Sequence, residues 1–239
     1  TVLSATAILL AGSAYVKATP IATKDALPKS DNTPLTATHG MVTMSTTFFD
    51  SNVCLGLPAN GAYGAVETAD DLLAKLDDAG IDRALVWHIA QHDGSPQDGN
   101  RLLAEAISGR DRLVGCWTLL PPVTGEVVRE GFFDEMKRAR VVALRAFPDR
   151  NRFLLNRAAF GSFMDELSER RVPLLLSPAR GITWPAIYEF LRDYPQATCI
   201  LCDLGTWSMD RMTWPLLASY PNVYLETSML SLHARALEA

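Results

Sequence analysis

Phe48 to Pro58 reads Phe-Phe-Asp-Ser-Asn-Val-Cys-Leu-Gly-Leu-Pro, and this stretch opens the organised part of the chain. An aromatic pair runs into Asp50, polar Asn52 and Cys54 follow, and Gly56 and Pro58 break the run. Alternate residues of a strand share a face. Asn52 and Cys54 are therefore expected to project together from the carboxyl end of a first strand, over residues 46–52. That end is where α/β folds keep their chemistry.

Working outward, strand and helix signals alternate. Thr68 is a suitable N-cap for the amphipathic run ADDLLAKLDDA, which Gly80 closes. A strand is expected over 84–89, then a helix opened by Ser95-Pro96 and ended by Gly109. The next strand, 113–119, stops at Pro121-Pro122, and a helix is expected from about Thr124 to Arg138. Strand 141–146, helix 158–170 and strand 172–176 come next. A helix opened by Thr183 and Pro185 ends before Tyr194-Pro195 and leads to strand 198–202. The last elements are a helix ending at Tyr220-Pro221, strand 223–226 and a helix over 228–238.

The strands are apolar on both faces, as a covered parallel sheet requires. They recur roughly every 30 residues, the spacing of an eight-fold barrel of about 250 residues. LRDYPQATCILCD and LASYPNVYLET repeat one pattern of helix, Tyr-Pro and buried strand, which supports sequential units of one kind. No glycine-rich phosphate loop follows the first strand, which weighs against a doubly wound nucleotide fold. The expected class is α/β, a TIM-like (β/α) barrel truncated after its seventh strand. Seven strands leave two free edges, so either an eighth strand continues the chain or the open edge pairs in a homodimer.

Composition narrows the function. The 239 residues are 48% hydrophobic and 21% charged, ordinary for a globular protein. The net charge of −5 and pI near 5.4 argue against nucleic-acid or membrane partners and leave a small-molecule substrate. Cys54, Cys116, Cys199 and Cys202 show no disulfide framework, and Cys199 and Cys202 face opposite sides of one strand. A cytoplasmic location follows. The alternative is export, because residues 1–18 have an apolar core followed by small residues, as in a signal peptide. Residues 1–45 are set aside as a flexible extension or signal-like segment, and 46–239 form the barrel domain.

Polar residues at the expected strand ends are Asn52, Cys54, His88, Arg145, Ser177, Asp203 and Glu226. Convergence at one barrel face makes each a site candidate. Arg145 either binds a substrate carboxylate with its planar fork or pairs with Asp50 or Glu226 inside the barrel. Asp203 and Glu226 end neighbouring strands and either form a general acid and base or are neutralised by Arg145 or Arg211. His88 either faces the pocket or is a hydrogen-bonded core histidine. Cys54 with His88 is a further, weaker nucleophile pairing.

The order of motifs resembles the amidohydrolase-related TIM barrels, in the branch of aminocarboxymuconate-semialdehyde decarboxylase and 2-pyrone-4,6-dicarboxylate lactonase. The residues carrying it are Phe49-Asp50, Ala79-Gly80-Ile81-Asp82-Arg83-Ala84, Asn100 and Asp111-Arg112-Leu113-Val114-Gly115. They continue with Pro121, Ala143-Leu144-Arg145, Val172-Pro173-Leu174-Leu175-Leu176, Asp203-Leu204-Gly205 and Tyr220-Pro221-Asn222-Val223-Tyr224. The resemblance implies a His-x-His metal pair after the first strand, where this chain has Asn52 and Cys54. It implies further histidines where this chain has Ser177 and Asp203, and a final aspartate with no counterpart here. Asn52 and Ser177 are poor zinc ligands, so no metal or other cofactor is expected, although Cys54 and Asp203 are able to ligate a divalent ion.

Two functions follow. One is a hydrolase or decarboxylase (a lyase) of the amidohydrolase-related class with a degenerate metal site. Its substrate is a small carboxylate-bearing cyclic compound, with Asp203, His88 and Glu226 catalytic and Asn52, Cys54, Arg145 and Ser177 binding. The other is a non-catalytic barrel that binds a small molecule or forms an oligomeric scaffold.

Overall fold

The computed structural model describes residues 47–58, 65–204 and 211–226 in full, and the backbone alone at 4–10, 13–19 and 210. In chain order the strands are β1 (Ser4–Leu10), β2 (Ser13–Thr19), β3 (Phe49–Leu55), β4 (Arg83–His88), β5 (Leu113–Thr118), β6 (Val141–Ala146), β7 (Leu174–Leu176), β8 (Cys199–Leu201) and β9 (Val223–Leu225). The helices are α1 (Ala69–Ala79), α2 (Ala90–Asp93), α3 (Pro96–Ile107), α4 (Phe132–Arg138), α5 (Pro148–Asn151), α6 (Arg157–Phe160), α7 (Phe163–Glu169), α8 (Trp184–Asp193) and α9 (Asp210–Ser219).

Strands β3 to β9 lie side by side in chain order, each parallel to the next. Seven parallel strands with helices between them make the curled, barrel-type sheet expected of this sequence. The structure adds two strands in the segment read as lying outside the barrel. β1 and β2 pair antiparallel, and β2 meets β9 antiparallel at Val16 and Leu225. The edge of β9 thus has a partner for part of its exposed hydrogen-bonding groups.

The alternation of the strands sorts the core into two layers. Leu72 and Leu76 of α1, Leu103 and Ile107 of α3 and Leu167 of α7 pack with Val86, Leu144, Leu174 and Leu201 between helices and sheet. The next residue along each strand faces the other way. Leu85, Trp87, Cys116, Ala143, Leu175, Ile200 and Cys202 form a second cluster, built from strand residues, inside the curl of the sheet. Cys199 and Cys202 fall in different layers as free, buried thiols. Each fully buried aliphatic side chain of this kind contributes about 1.5–3 kcal/mol.

Helix ends follow local chemistry. The Thr68 hydroxyl accepts the N–H of Asp71 at 3.1 Å, and Gly80 closes α1 at φ 67°. Ser95 caps α3 by accepting the N–H of Asp98 at 3.3 Å, with Pro96 in the first turn.

Four expectations need correction. The first strand runs to Leu55 rather than residue 52, because Gly56 at φ 94° is what ends it. The helix expected from Thr124 begins only at Phe132. Gly125 at φ 62° closes a short 3₁₀ turn, Pro122–Thr124, and Gly131 at φ 76° forces a second break. The helix expected over 158–170 is divided by Gly161, whose φ of 50° lies outside the helical region, into α6 and α7. Strand β7 begins at Leu174, two residues later than expected. The helix expected over 228–238 lies outside the described residues.

Strand β3 also carries an irregularity. Asp50 pairs with Ala84 and Val53 with Val86, so β3 holds one residue more than β4 over this interval. Such a bulge changes which residues face the interior and is common beside functional sites.

Candidate active site

Four strands deliver polar side chains to one place. Asn52 of β3 is its centre: its Oδ1 accepts a hydrogen bond from an Arg145 terminal nitrogen at 2.9 Å. Its Nδ2 donates to Asp203 Oδ1 at 3.1 Å and to Glu226 Oε2 at 3.3 Å. Arg145 lies in β6, Asp203 follows β8 and Glu226 follows β9, so the carboxyl-terminal ends of the sheet converge here. Glu226 Oε2 also accepts the backbone N–H of Asp203 at 3.4 Å.

Asp203 stands at φ 54°, in the left-handed region that aspartate tolerates better than most residues and that clusters at functional sites. Its Oδ2 accepts the Nε–H of Arg180 at 3.0 Å and lies 3.8 Å from an Arg145 terminal nitrogen. Burial pushes its carboxyl up, but Arg145, the Ser177 hydroxyl and Arg180 together hold it below the ordinary carboxylate value. Asp203 is therefore a carboxylate at neutral pH. The raised partner expected beside Glu226 is instead Asp50, whose carboxyl burial lifts above its usual value, with the Glu226 charge adding to the effect.

Arg145 is wholly buried, its guanidinium carbon 4.5 Å from the centre of the Trp87 ring and 5.6 Å from that of Phe147. Its Nε and second terminal nitrogen have no hydrogen-bond partner among the described residues. Asp50 or Glu226 was the expected internal partner of Arg145, whereas the structure places Asn52 at 2.9 Å and Asp203 at 3.8 Å from its guanidinium. Ser177 is buried beside Asp203 with its hydroxyl outside hydrogen-bond geometry.

Cys54 packs against the interior cluster, and its thiol is pushed up to about 11 by burial, against the pull of Arg180 and Arg145. It is a neutral thiol at physiological pH, a weak nucleophile and a weak ligand. His88 does not join the Asn52 network. Its Nδ1 accepts the N–H of Ala90 at 3.1 Å, its own N–H donates to Gln91 Oε1 at 3.2 Å, and burial lowers its pKa. The Gly56 backbone lies against the same ring, where an added Cβ would come within 3.0 Å of it. His88 thus fastens β4 to α2, the hydrogen-bonded structural alternative for this residue. Among the described residues no hydrogen bond joins it to Cys54.

Two members of the site escaped the sequence reading. Arg180 sits in the Ser177-Pro178-Ala179-Arg180-Gly181 turn after β7, and Trp87 is the penultimate residue of β4. The signal for Arg180 was a charged residue between Pro and Gly at the carboxyl end of a strand. Trp87 carries no comparable signal, because buried aromatics are ordinary core residues.

A parallel curled sheet with a carboxylate and two arginines at its carboxyl-terminal rim defines an α/β-barrel protein with an active-site-like mouth. The chain belongs to the Amidohydro_2 amidohydrolase family, whose sequence profile matches residues 56–237. No curated protein matches it. Among solved structures it is similar to an uncharacterized TIM-barrel protein from Bordetella bronchiseptica, with 12% identity over 75% of this chain and 74% of that one, at a TM-score of 0.54. A structure named Amidohydrorolase II shares 13% identity over 75% and 78% of the chains, at a TM-score of 0.50. A probable 2-pyrone-4,6-dicarboxylic acid hydrolase from Acinetobacter baumannii shares 14% identity over 81% and 90%, at a TM-score of 0.43. The first two support the fold.

The family resemblance implies a divalent metal, and at the positions where it implies histidine ligands this chain offers an amide (Asn52), a thiol (Cys54), a hydroxyl (Ser177) and one carboxylate (Asp203). The Asn52 carbonyl oxygen is taken by Arg145, and both Asp203 oxygens accept N–H donors. Cys54 is a neutral thiol. No cluster of three or more His, Cys, Asp or Glu side chains suited to a metal occurs among the described residues. A catalytic zinc needs about three such ligands. Among the described residues no helix is long and apolar enough to cross a membrane.

Proposed function

We propose that the chain is a hydrolase or decarboxylase of a small carboxylate-bearing cyclic compound, working without the family's usual divalent metal. The observation that carries this reading is the Asn52–Arg145–Asp203–Glu226 network at the carboxyl-terminal ends of the strands. In the hydrolytic case Asp203, charged at neutral pH, removes a proton from a water whose oxygen attacks a ring carbonyl carbon. The carbonyl electron pair moves onto its oxygen. On collapse the ring C–O bond breaks, and the departing oxygen takes the proton back from Asp203. Glu226 and Asn52 hold Asp203 in place. The four free thiols suit the reducing cytoplasm.

A positioned general base contributes about 10²–10⁴-fold. Asp203→Asn is therefore expected to lower kcat by that order on a lactone or carboxylate panel, with wild-type turnover indifferent to chelator. Unchanged turnover in the variant removes Asp203 from the mechanism, and chelator-sensitive turnover removes the metal-free reading. A second reading, a binding barrel without catalysis, is favoured by the absence of histidine at Asn52, Cys54, Ser177 and Asp203. It is supported if the panel binds and nothing turns over.

A further inference from the structure

We propose that Arg180 is the residue that receives the substrate's carboxylate, and that Asp203 and the Trp87 indole aim it. This inference rests on the reading of the substrate as a carboxylate-bearing compound. Arg145 is poorly placed for the task, being wholly buried with one terminal nitrogen already held by Asn52. Arg180 is placed differently. Its side chain is 36% exposed, its Nε–H is anchored on Asp203 at 3.0 Å, and its two terminal nitrogens bond to none of the described residues. Its guanidinium carbon lies 5.1 Å from the centre of the Trp87 ring, and that ring also carries Arg145 at 4.5 Å.

An arginine fixed at Nε and against an aromatic ring keeps its outer pair of N–H groups for a bidentate carboxylate contact. Fixing it beforehand lowers the entropy lost on binding. The backbone supports the same conclusion. The Arg180 N–H donates to the Ser177 carbonyl at 2.9 Å, and the Gly181 carbonyl accepts the Asp149 N–H at 3.0 Å, so the turn is tied at both ends. Gly181 at φ 106° permits the chain reversal that brings Arg180 over the strand ends. Asp203 then acts on binding as a positioning residue, because its carboxylate sets the Arg180 plane and offsets the charge of the guanidinium pair.

The test is calorimetric titration of the full chain with benzene-1,3-dicarboxylate, and with the uncharged diamide of the same ring as control. Arg180→Gln is expected to weaken dicarboxylate binding by about 10–100-fold, the loss of charge-assisted hydrogen bonds, and to leave diamide binding unchanged. Arg180→Lys falls between, since an ammonium keeps the charge and loses the fork. Arg180→Ala is expected to regain dicarboxylate affinity when ethylguanidinium is added, a rescue that a structural role would not give, and its thermal midpoint checks folding. Equal dicarboxylate affinity in wild type and Arg180→Gln overturns the assignment of Arg180 and leaves the carboxylate reading standing. Failure of the wild type to bind any ring carboxylate overturns both.

Discussion

Asn52 and Arg145, 93 residues apart in the chain, meet at 2.9 Å, and the same amide group binds Asp203 and Glu226 from its other end. One neutral side chain therefore bridges a buried cation and two carboxylates through both ends of its amide. Its replacement by leucine keeps the volume and removes both polar ends. Asn52→Leu is expected to lose about 1–3 kcal/mol of stability, the cost of leaving buried polar groups unpaired. Urea unfolding with an unchanged slope measures it, and a midpoint equal to wild type would show that the network carries no stability.

Asp50 gives a pH-dependent prediction with a definite sign. Its carboxyl is raised above the ordinary 3.8 by burial, with Glu226 adding to the rise. A raised acid binds its proton more tightly in the folded state, so its contribution is favourable at low pH and lost as pH rises through the folded value. Asp50→Asn, which cannot ionise, is expected to be more stable than wild type at neutral pH and to lose that advantage near pH 3.8. Unfolding midpoints measured across this range decide it.

Asp203 has the opposite sign. Its folded value is depressed below 3.8, so its favourable contribution is complete above 3.8 and is lost as pH falls through the folded value. If Asp203 is the general base, the acid limb of kcat/KM lies below 3.8, and the rate is flat across about pH 5 to 8. A rate that falls on acidification within that window would assign the base to another group.

Asn100 tests the scaffold beneath the site. Its Nδ2 donates to the Thr118 carbonyl at 2.8 Å, and its Oδ1 accepts from the Thr118 N–H at 2.8 Å and from Gln91 Nε2 at 2.9 Å. Gln91 also donates to the Cys116 carbonyl at 3.0 Å. This buried amide pair ties α2 and α3 to the end of β5. Asn100→Ala is expected to cost about 3 kcal/mol, since two backbone groups of Thr118 and the Gln91 amide lose their partner. Chemical denaturation reads the loss directly.

Much of this arrangement is legible in the residues. Ser95-Pro96, Thr68 and Gly80 mark helix ends that the structure reproduces, because capping chemistry is local. The strands β4 to β9 follow from apolar runs that both layers of the core demand. Asn52, Arg145, Asp203 and Glu226 were recognisable as polar groups closing apolar strands, and the structure brings them into one network. Helix breaks at Gly125, Gly131 and Gly161 were not legible, because glycine is tolerated inside helical patterns and its φ emerges only in the folded chain. The separation of His88 from the network was hidden as well, since it depends on a hydrogen bond to Ala90 in a helix of four residues.

The extra residue in β3 has a consequence for how one strand serves two environments. In a regular strand the inward positions all share one parity, so apolar and polar duties compete for the same alternate sites. Across the irregularity between Asp50 and Val53 that parity changes. Phe49 packs against the apolar interior at one end, while Asn52 and Cys54, of even number, turn inward at the other. A single inserted position lets β3 close the floor of the barrel with an aromatic ring and furnish its mouth with an amide. If the same residues ran in regular alternation from Phe49, without the irregularity, Asn52 and Cys54 would face the outer layer.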